Sequence, residues 1–224
     1  MRSIQFTLFG CEVNISASFF LLVAWLMCIA YELNLPLWIM MVYAVVLFVS
    51  VLVHEFGHAL AFRWYGARDC VSVHVHALGG HTMACEWCTQ SLTSWQRCVV
   101  VFAGPAAGLG LTGGAIGLVL CASTEPMYGL ATQLVLFNLV LSVTNLIPLF
   151  PLDGGHLMEE MTGWVLGRGV LWHIVTTFVN FALTFALLLA MCAFADWHKV
   201  RDWLGVVQAL LVLGANIQHT FARS

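Results

Sequence analysis

The stretch His54-Glu55-Phe56-Gly57-His58 sets two imidazoles four residues apart, with a carboxylate beside the first. On a helix, positions i and i+4 share a face, so His54 and His58 can hold one metal ion between them. Glu55 is turned by about 100° from His54, which suits work on a water at the metal rather than coordination. Zinc takes neutral imidazoles and lowers the pKa of its water to about 7. A carboxylate alongside can then accept a proton and later hand it to a leaving amine. Two histidines merely packed between helices explain the pattern less well, because an unpartnered Glu in a membrane costs about 2–3 kcal/mol.

A catalytic zinc usually has three protein ligands and one open position. The third is expected from Asp153, in Asn145-Leu146-Ile147-Pro148-Leu149-Phe150-Pro151-Leu152-Asp153-Gly154-Gly155. Pro148 and Pro151 forbid a regular helix there, so an apolar span must unwind just before Asp153. Irregular backbone at membrane depth is tolerated only where it lines a cavity or is buried in protein. The paired glycines let the chain turn tightly and approach another element. With the N-terminus inside, Asp153 and the two histidines are expected towards the same side of the membrane.

The elements that must carry these residues are helices in lipid. The chain has 224 residues, 61% hydrophobic and only 8% charged, with mean hydropathy +0.93. A soluble domain averages roughly 45–50% apolar and about 25% charged residues. Disorder, a coiled coil and a disulfide-stapled secreted domain are excluded by the same balance. The net charge of −3 offers no basic patch, so nucleic acid is not an expected partner. Met1–Asn14 lacks the basic start and apolar stretch of a cleavable signal, so the first apolar run is expected to be retained.

Six apolar runs approach the length of a span, which takes about 20 residues. They are Ile15–Tyr31, Leu37–Phe62, Arg97–Cys121, Met127–Pro148, Gly169–Ala195 and the shorter Trp203–Ile217. With the N-terminus inside, Arg2, Arg63, Arg68, Arg97, Arg168 and Arg223 are cytoplasmic, against Lys199 and Arg201 outside. The positive-inside rule therefore favours both termini in the cytoplasm. Period-two alternation from Ser3 to Ile15, broken at Gly10, predicts a short hairpin. Val71–His76 alternates in the same way, with a turn expected at Gly79-Gly80 and a returning strand over His81–Trp87. The expected fold is mainly α: one integral membrane domain over residues 1–224, a bundle of about six helices with a small cytoplasmic β element.

An H-E-x-x-H in one span, followed about ninety residues on by N-x-x-P-x-x-P-L-D-G-G, resembles the site-2 protease family of intramembrane zinc metalloproteases. The likeness runs over most of the chain and takes in Phe9-Gly10, Gly79-Gly80 and Gly104-Pro105. It implies that His54, His58 and Asp153 ligate Zn2+ and that Glu55 activates water. It further implies that Asn145 holds the substrate backbone, and it marks Asn138 as a second family asparagine and a substrate-binding candidate. The family's G-P-x-x-N reads Gly104-Pro105-Ala106-Ala107-Gly108 in this chain, which keeps the packing residues but removes one polar contact. No PDZ insertion or CBS extension is recognisable, as in the minimal members. The implied activity is hydrolysis of a peptide bond in a single-span membrane protein near the cytoplasmic face of the plasma membrane, under control of a membrane partner. A strand edge of the inner sheet could hold the unwound substrate by β-addition. The reading from another class is a membrane protein that binds or moves a metal without proteolysis. Glu55 argues for the enzyme, since a conduit needs no base beside its ligands, and there is no inverted repeat of the transporter kind.

Cys85-Glu86-Trp87-Cys88 has the spacing of half a zinc knuckle, with His74, His76 and His81 nearby. A second metal can be drawn from them, but isolated thiols on a hairpin are the simpler expectation. His156 is expected to hydrogen-bond or face solvent, and Glu159 and Glu160 to form the solvated edge of an interfacial helix. Trp38, Trp95, Trp164 and Trp203 mark span ends. Gly108, Gly110, Gly113, Gly114 and Gly117 read as close helix packing.

Overall fold

The computed structural model of the chain describes residues 3–32, 34–68, 70–76 and 79–194; the predicted segment Trp203–Ile217 lies outside them. The fold is mainly helical with one small sheet, as expected. It divides into two compact units, Met1–Thr144 and Asn145 onward.

In the first unit, β1 (Ser3–Leu8) and β2 (Cys11–Ser16) form an antiparallel hairpin. Its turn is Phe9-Gly10, both at positive φ, 49° and 75°, the backbone that matches a two-residue turn to strand twist. β3 (Val71–His76) lies parallel to β2 and antiparallel to β4 (Gly79–Ala84). One four-stranded sheet results, in the order β1-β2-β3-β4. Two hairpins read separately in the sequence are therefore a single sheet. Gly79 and Gly80 are residues of β4 itself, and the strand stops at Ala84 rather than continuing to Trp87.

Between β2 and β3 run α1 (Phe19–Glu32) and α2 (Leu37–Trp64). Alternation decides which side of the sheet meets them. Cys11, Val13, Val71, Val73 and Val75 are buried in one core with Phe19, Val51, Phe56 and Ala59. The first span is shorter than the apolar run: Ile15 pairs with Ile4 and Val75 in the sheet. The 14 residues left to α1 reach about 21 Å, short of a hydrocarbon core of about 30 Å.

A short helix, α3 (Glu86–Ser91), leads to α4 (Ser94–Cys121). α4 starts at a capping box, in which Gln96 N donates to Thr93 Oγ1 at 3.3 Å and Thr93 N donates to Gln96 Oε1 at 2.8 Å. α5 (Glu125–Asn145) follows. Among the described residues, Leu37–Trp64, Ser94–Cys121 and Met127–Asn145 are long and apolar enough to cross a membrane; Phe19–Glu32 and Val170–Ala186 are apolar but shorter. The count of about six spans is therefore not confirmed among the described residues. Leu37, Met41 and Val45 lie exposed along α2, and Trp38 and Trp95 are exposed at the starts of α2 and α4, as lipid and its interface favour.

In the second unit, α5 has ended at Asn145, three residues before Pro148, so the helix unwinds where the prolines require it. Turn bonds then serve the backbone: Leu152 N donates to Leu149 O and Gly155 N to Leu152 O. Asp153 opens α6 (Asp153–Leu166), and α7 (Val170–Phe194) follows. A side chain at Gly154 would overlap the carbonyls of Leu146 and Ile147, and one at Gly155 would stand 2.7 Å from Leu149 C and Phe150 N. Only glycines let α6 start so close to the unwound stretch before it. Phe150 N donates to the buried Asn180 Oδ1 of α7 at 2.7 Å. Trp172 Nε1 donates to Glu159 O at 3.0 Å. Glu159 is 7% exposed, so it is not on the solvated edge expected for it. Glu160 is on the polar side, bridged to Arg168 at 2.6 Å.

Candidate metal centre

The all-round burial of α2 is concentrated at its last turns, where His54, Glu55, Phe56, Gly57, His58 and Ala59 are all buried. Gly57 is what lets this stretch meet α4, since a methyl there would overlap Ala103 O. Without that approach His58 could not reach α4.

The two imidazoles meet edge to face, with Nε2 to Nε2 at 3.3 Å. His58 Nδ1 donates to Val100 O of α4 at 2.8 Å. A proton on Nδ1 leaves Nε2 as a lone pair, the tautomer that a metal takes. Gly104 is the floor of the site: a Cβ there would fall on the ring of His58. Pro105 next to it lacks the N–H that would close the helix bond to Val101 O. The donor set, the fixed tautomer and the glycine floor all fit a divalent cation of the zinc kind.

Glu55 faces the sheet. Thr82 Oγ1 lies 2.8 Å from Glu55 Oε2 and 3.0 Å from Glu55 O, so its hydroxyl donates to the carboxylate or to the backbone. A side chain at Gly80 would stand 2.6 Å from Glu55 Oε1. The edge strand β4 thus holds the carboxylate beside the histidine pair. Thr82 carried no signal in the sequence, because a Thr on a predicted strand has no motif to mark it.

Asn138 is fully buried. Its amide donates to Ser50 Oγ at 3.0 Å and to Leu134 O at 2.8 Å, which ties α5 to α2 one turn before His54. A side chain at Gly108 would overlap Ser142 Oγ of α5, so the position where the family pattern places Asn is filled here by a neighbouring helix. Asn145 closes α5, and Asp153 is the first residue of α6, in the second unit. A helix N-terminus favours a carboxylate. The His156 ring packs against Phe150 at 4.3 Å.

The histidines of the sheet engage one another. His74 stacks on His81 at 4.9 Å, and His76 Nε2 lies 2.9 Å from His81 Nδ1. Loss of solvent and repulsion from His76 and His74 push His81 down from 6.5 to about 4. Burial and His74 lower His76 in the same direction. Cys85 and Cys88 group with Cys70 instead of with these rings. Cys70 and Cys85 form a disulfide, against the expectation of isolated thiols.

The model of peptidase family M50 matches residues 42–130 and 120–191. A protein of Synechocystis sp. named as a candidate zinc metalloprotease is 31% identical over 176 residues, 72% of this chain and 44% of the relative. A zinc metalloprotease of Methanocaldococcus jannaschii is 26% identical over 162 residues, 70% of this chain and 44% of the relative. The chain therefore spans less than half the length of these relatives. The fold is similar to that of the site-2 protease from Methanocaldococcus jannaschii, with TM-score 0.68 and 22% identity over 98% of this chain and 95% of that one. Its helices are those of an integral membrane protein. The chain belongs to peptidase family M50.

Proposed function

We propose that the chain is an intramembrane zinc metalloprotease that hydrolyses a peptide bond in a membrane-embedded protein. The observation that carries this is the His54–His58 pair, its Nε2 atoms 3.3 Å apart and one tautomer fixed by Val100 O, with Glu55 held beside it by Thr82. The metalloprotease names of the relatives point the same way.

His54 and His58 hold the ion, with Asp153 as third ligand, supported by its motif and by the usual three-ligand count. Bound zinc supplies a Lewis acid for the scissile carbonyl and eases ionisation of the attacking water. Glu55 accepts the proton of that water and delivers it to the departing amide nitrogen. Thr82 orients the carboxylate. Asn138, fully buried, is proposed as a positioning residue that fixes α2 against α5 rather than as a contact for substrate; Asn145, at the end of α5, keeps the substrate role.

A transmembrane helix hides its carbonyls in its own hydrogen bonds, so substrate must unwind before water can attack. β4 is an edge strand beside Glu55, and an unwound segment can add to it by backbone pairing. The substrate is proposed to be a single-span protein cleaved near the cytoplasmic face of the plasma membrane, with a membrane partner controlling access. Co-expression with tagged single-span proteins, comparing wild type with Glu55→Gln by blot, tests the reading. A fragment made only by wild type supports it. Metal flux that depends on His54 and His58, with no substrate ever cut, overturns it in favour of transport.

A further inference from the structure

Cys70, Cys85 and Cys88 take no part in the chemistry above. Val71 and Ala84 are the last paired residues of β3 and β4, so Cys70 and Cys85 stand across from each other just past the ladder, Cα to Cα 5.4 Å. Cys88 comes from α3, buried in the core under the sheet. The three sulfurs lie within 4.8 Å of one another. Cys88 Sγ is 3.6 Å from Cys70 Sγ.

The Cys70–Cys85 disulfide joins two of the three, and the buried thiol of Cys88 lies against it. A metal site uses all three. With Zn–S bonds of about 2.3 Å, neighbouring sulfurs of a tetrahedron lie about 3.8 Å apart, and the Cys70–Cys88 separation is close to that edge. Cys85-x-x-Cys88 is half of a zinc knuckle. The missing partner comes from strand register, not from a second C-x-x-C.

We propose that in its reduced form this trio is a second metal site, a three-thiolate site for zinc that clips β3, β4 and α3 together. Reduction takes two electrons and two protons from a dithiol, which leaves as a disulfide and frees Cys70 and Cys85 as thiols. Zinc then forms three bonds to sulfur without changing oxidation state, and the thiol protons pass to solvent. The fourth position falls to water. Thiolates select such soft-accepting ions over magnesium or calcium.

The test uses the full chain in detergent, reduced with a trialkylphosphine and titrated with cobalt(II). His54, His58 and Asp153 carry no sulfur, so thiolate-to-cobalt charge-transfer absorption in the near ultraviolet reports on the cysteines alone, whatever becomes of the protease assignment. The expected result is one such site per chain, bleached by zinc, lost in Cys88→Ser and retained in His54→Ala. Absence of the band in reduced wild type, or its survival in Cys88→Ser, overturns the proposal. A second measurement needs no variant: zinc should protect Cys70, Cys85 and Cys88 together from alkylation in peptide maps. Alkylation of the three at the same rate with and without zinc also overturns it.

Discussion

Gly104 of α4 and His58 of α2 are packed so closely that a methyl on the glycine would fall on the imidazole. The contact makes α4 part of the candidate metal centre. Gly104→Ala should therefore displace His58 and weaken zinc binding at least about tenfold, the lower bound for disturbing groups that orient a ligand. Gly110→Ala on the same helix, where an added Cβ meets nothing within 4 Å, should bind zinc as wild type does. Chelator competition on both variants checks the contrast.

Glu55→Gln keeps the shape of the side chain and can still receive the Thr82 hydrogen bond, but cannot accept a proton. Zinc content and thermal stability should change little. Turnover of an identified substrate should fall by about 10²–10⁴-fold, mainly in kcat. A wild-type rate in this variant would remove Glu55 from its role.

Thr82→Val removes the hydroxyl that reaches Glu55 Oε2 at 2.8 Å while nearly preserving volume. A hydrogen bond to a charged acceptor contributes about 1.5 kcal/mol or more, so kcat should drop roughly tenfold. Thr82→Ser should restore most of the rate with KM unchanged. If Val and Ser behave alike in single-turnover assays, Thr82 is only packing.

Asp153→Ala should lower zinc occupancy of the purified protein while the circular dichroism of the helices is retained. His156→Ala should leave zinc in place, since its ring packs on Phe150. Metal analysis showing the reverse pattern would make His156 the third ligand.

The sheet should respond to acid. His81 titrates near 4 in the folded chain against 6.5 in an unfolded one, so between those values the unfolded state binds more protons. The His81 contribution to stability should be fully present above pH 6.5 and should be lost as pH falls from 6.5 to about 4. His81→Gln should flatten that part of the profile. Thermal melts across the window measure it.

Local signals carried most of what could be read in advance. The i, i+4 spacing of His54 and His58 needs only a helix, and α2 supplies it; Pro148 and Pro151 demand unwinding, and α5 stops at Asn145. Alternation marked both hairpins. What could not be read depends on residues far apart in sequence. Pairing of Ile15 with Val75 shortened the first helix, and no local pattern announces a parallel partner sixty residues on. The disulfide follows from β3–β4 register and the Cys88 contact from the placement of α3, neither of which cysteine spacing determines. Glu159 is buried, and the indole that donates to its carbonyl comes from Trp172 thirteen positions later.

The parallel pair β2–β3 has a consequence for how the chain can sit in a bilayer. The backbone leaves the sheet through α1 and must come back to it through α2, because the next strand lies in register beside the one it left. Arg63, at the returning end, also donates to Phe9 O in the β1–β2 turn. The number of membrane crossings between the two hairpins is therefore even. Parity binds all four strands and the Glu55 end of α2 to one and the same compartment, so no variant can invert one hairpin without tearing the sheet. A single accessibility probe on the β1–β2 turn consequently reports the compartment faced by the Glu55 end of α2 as well.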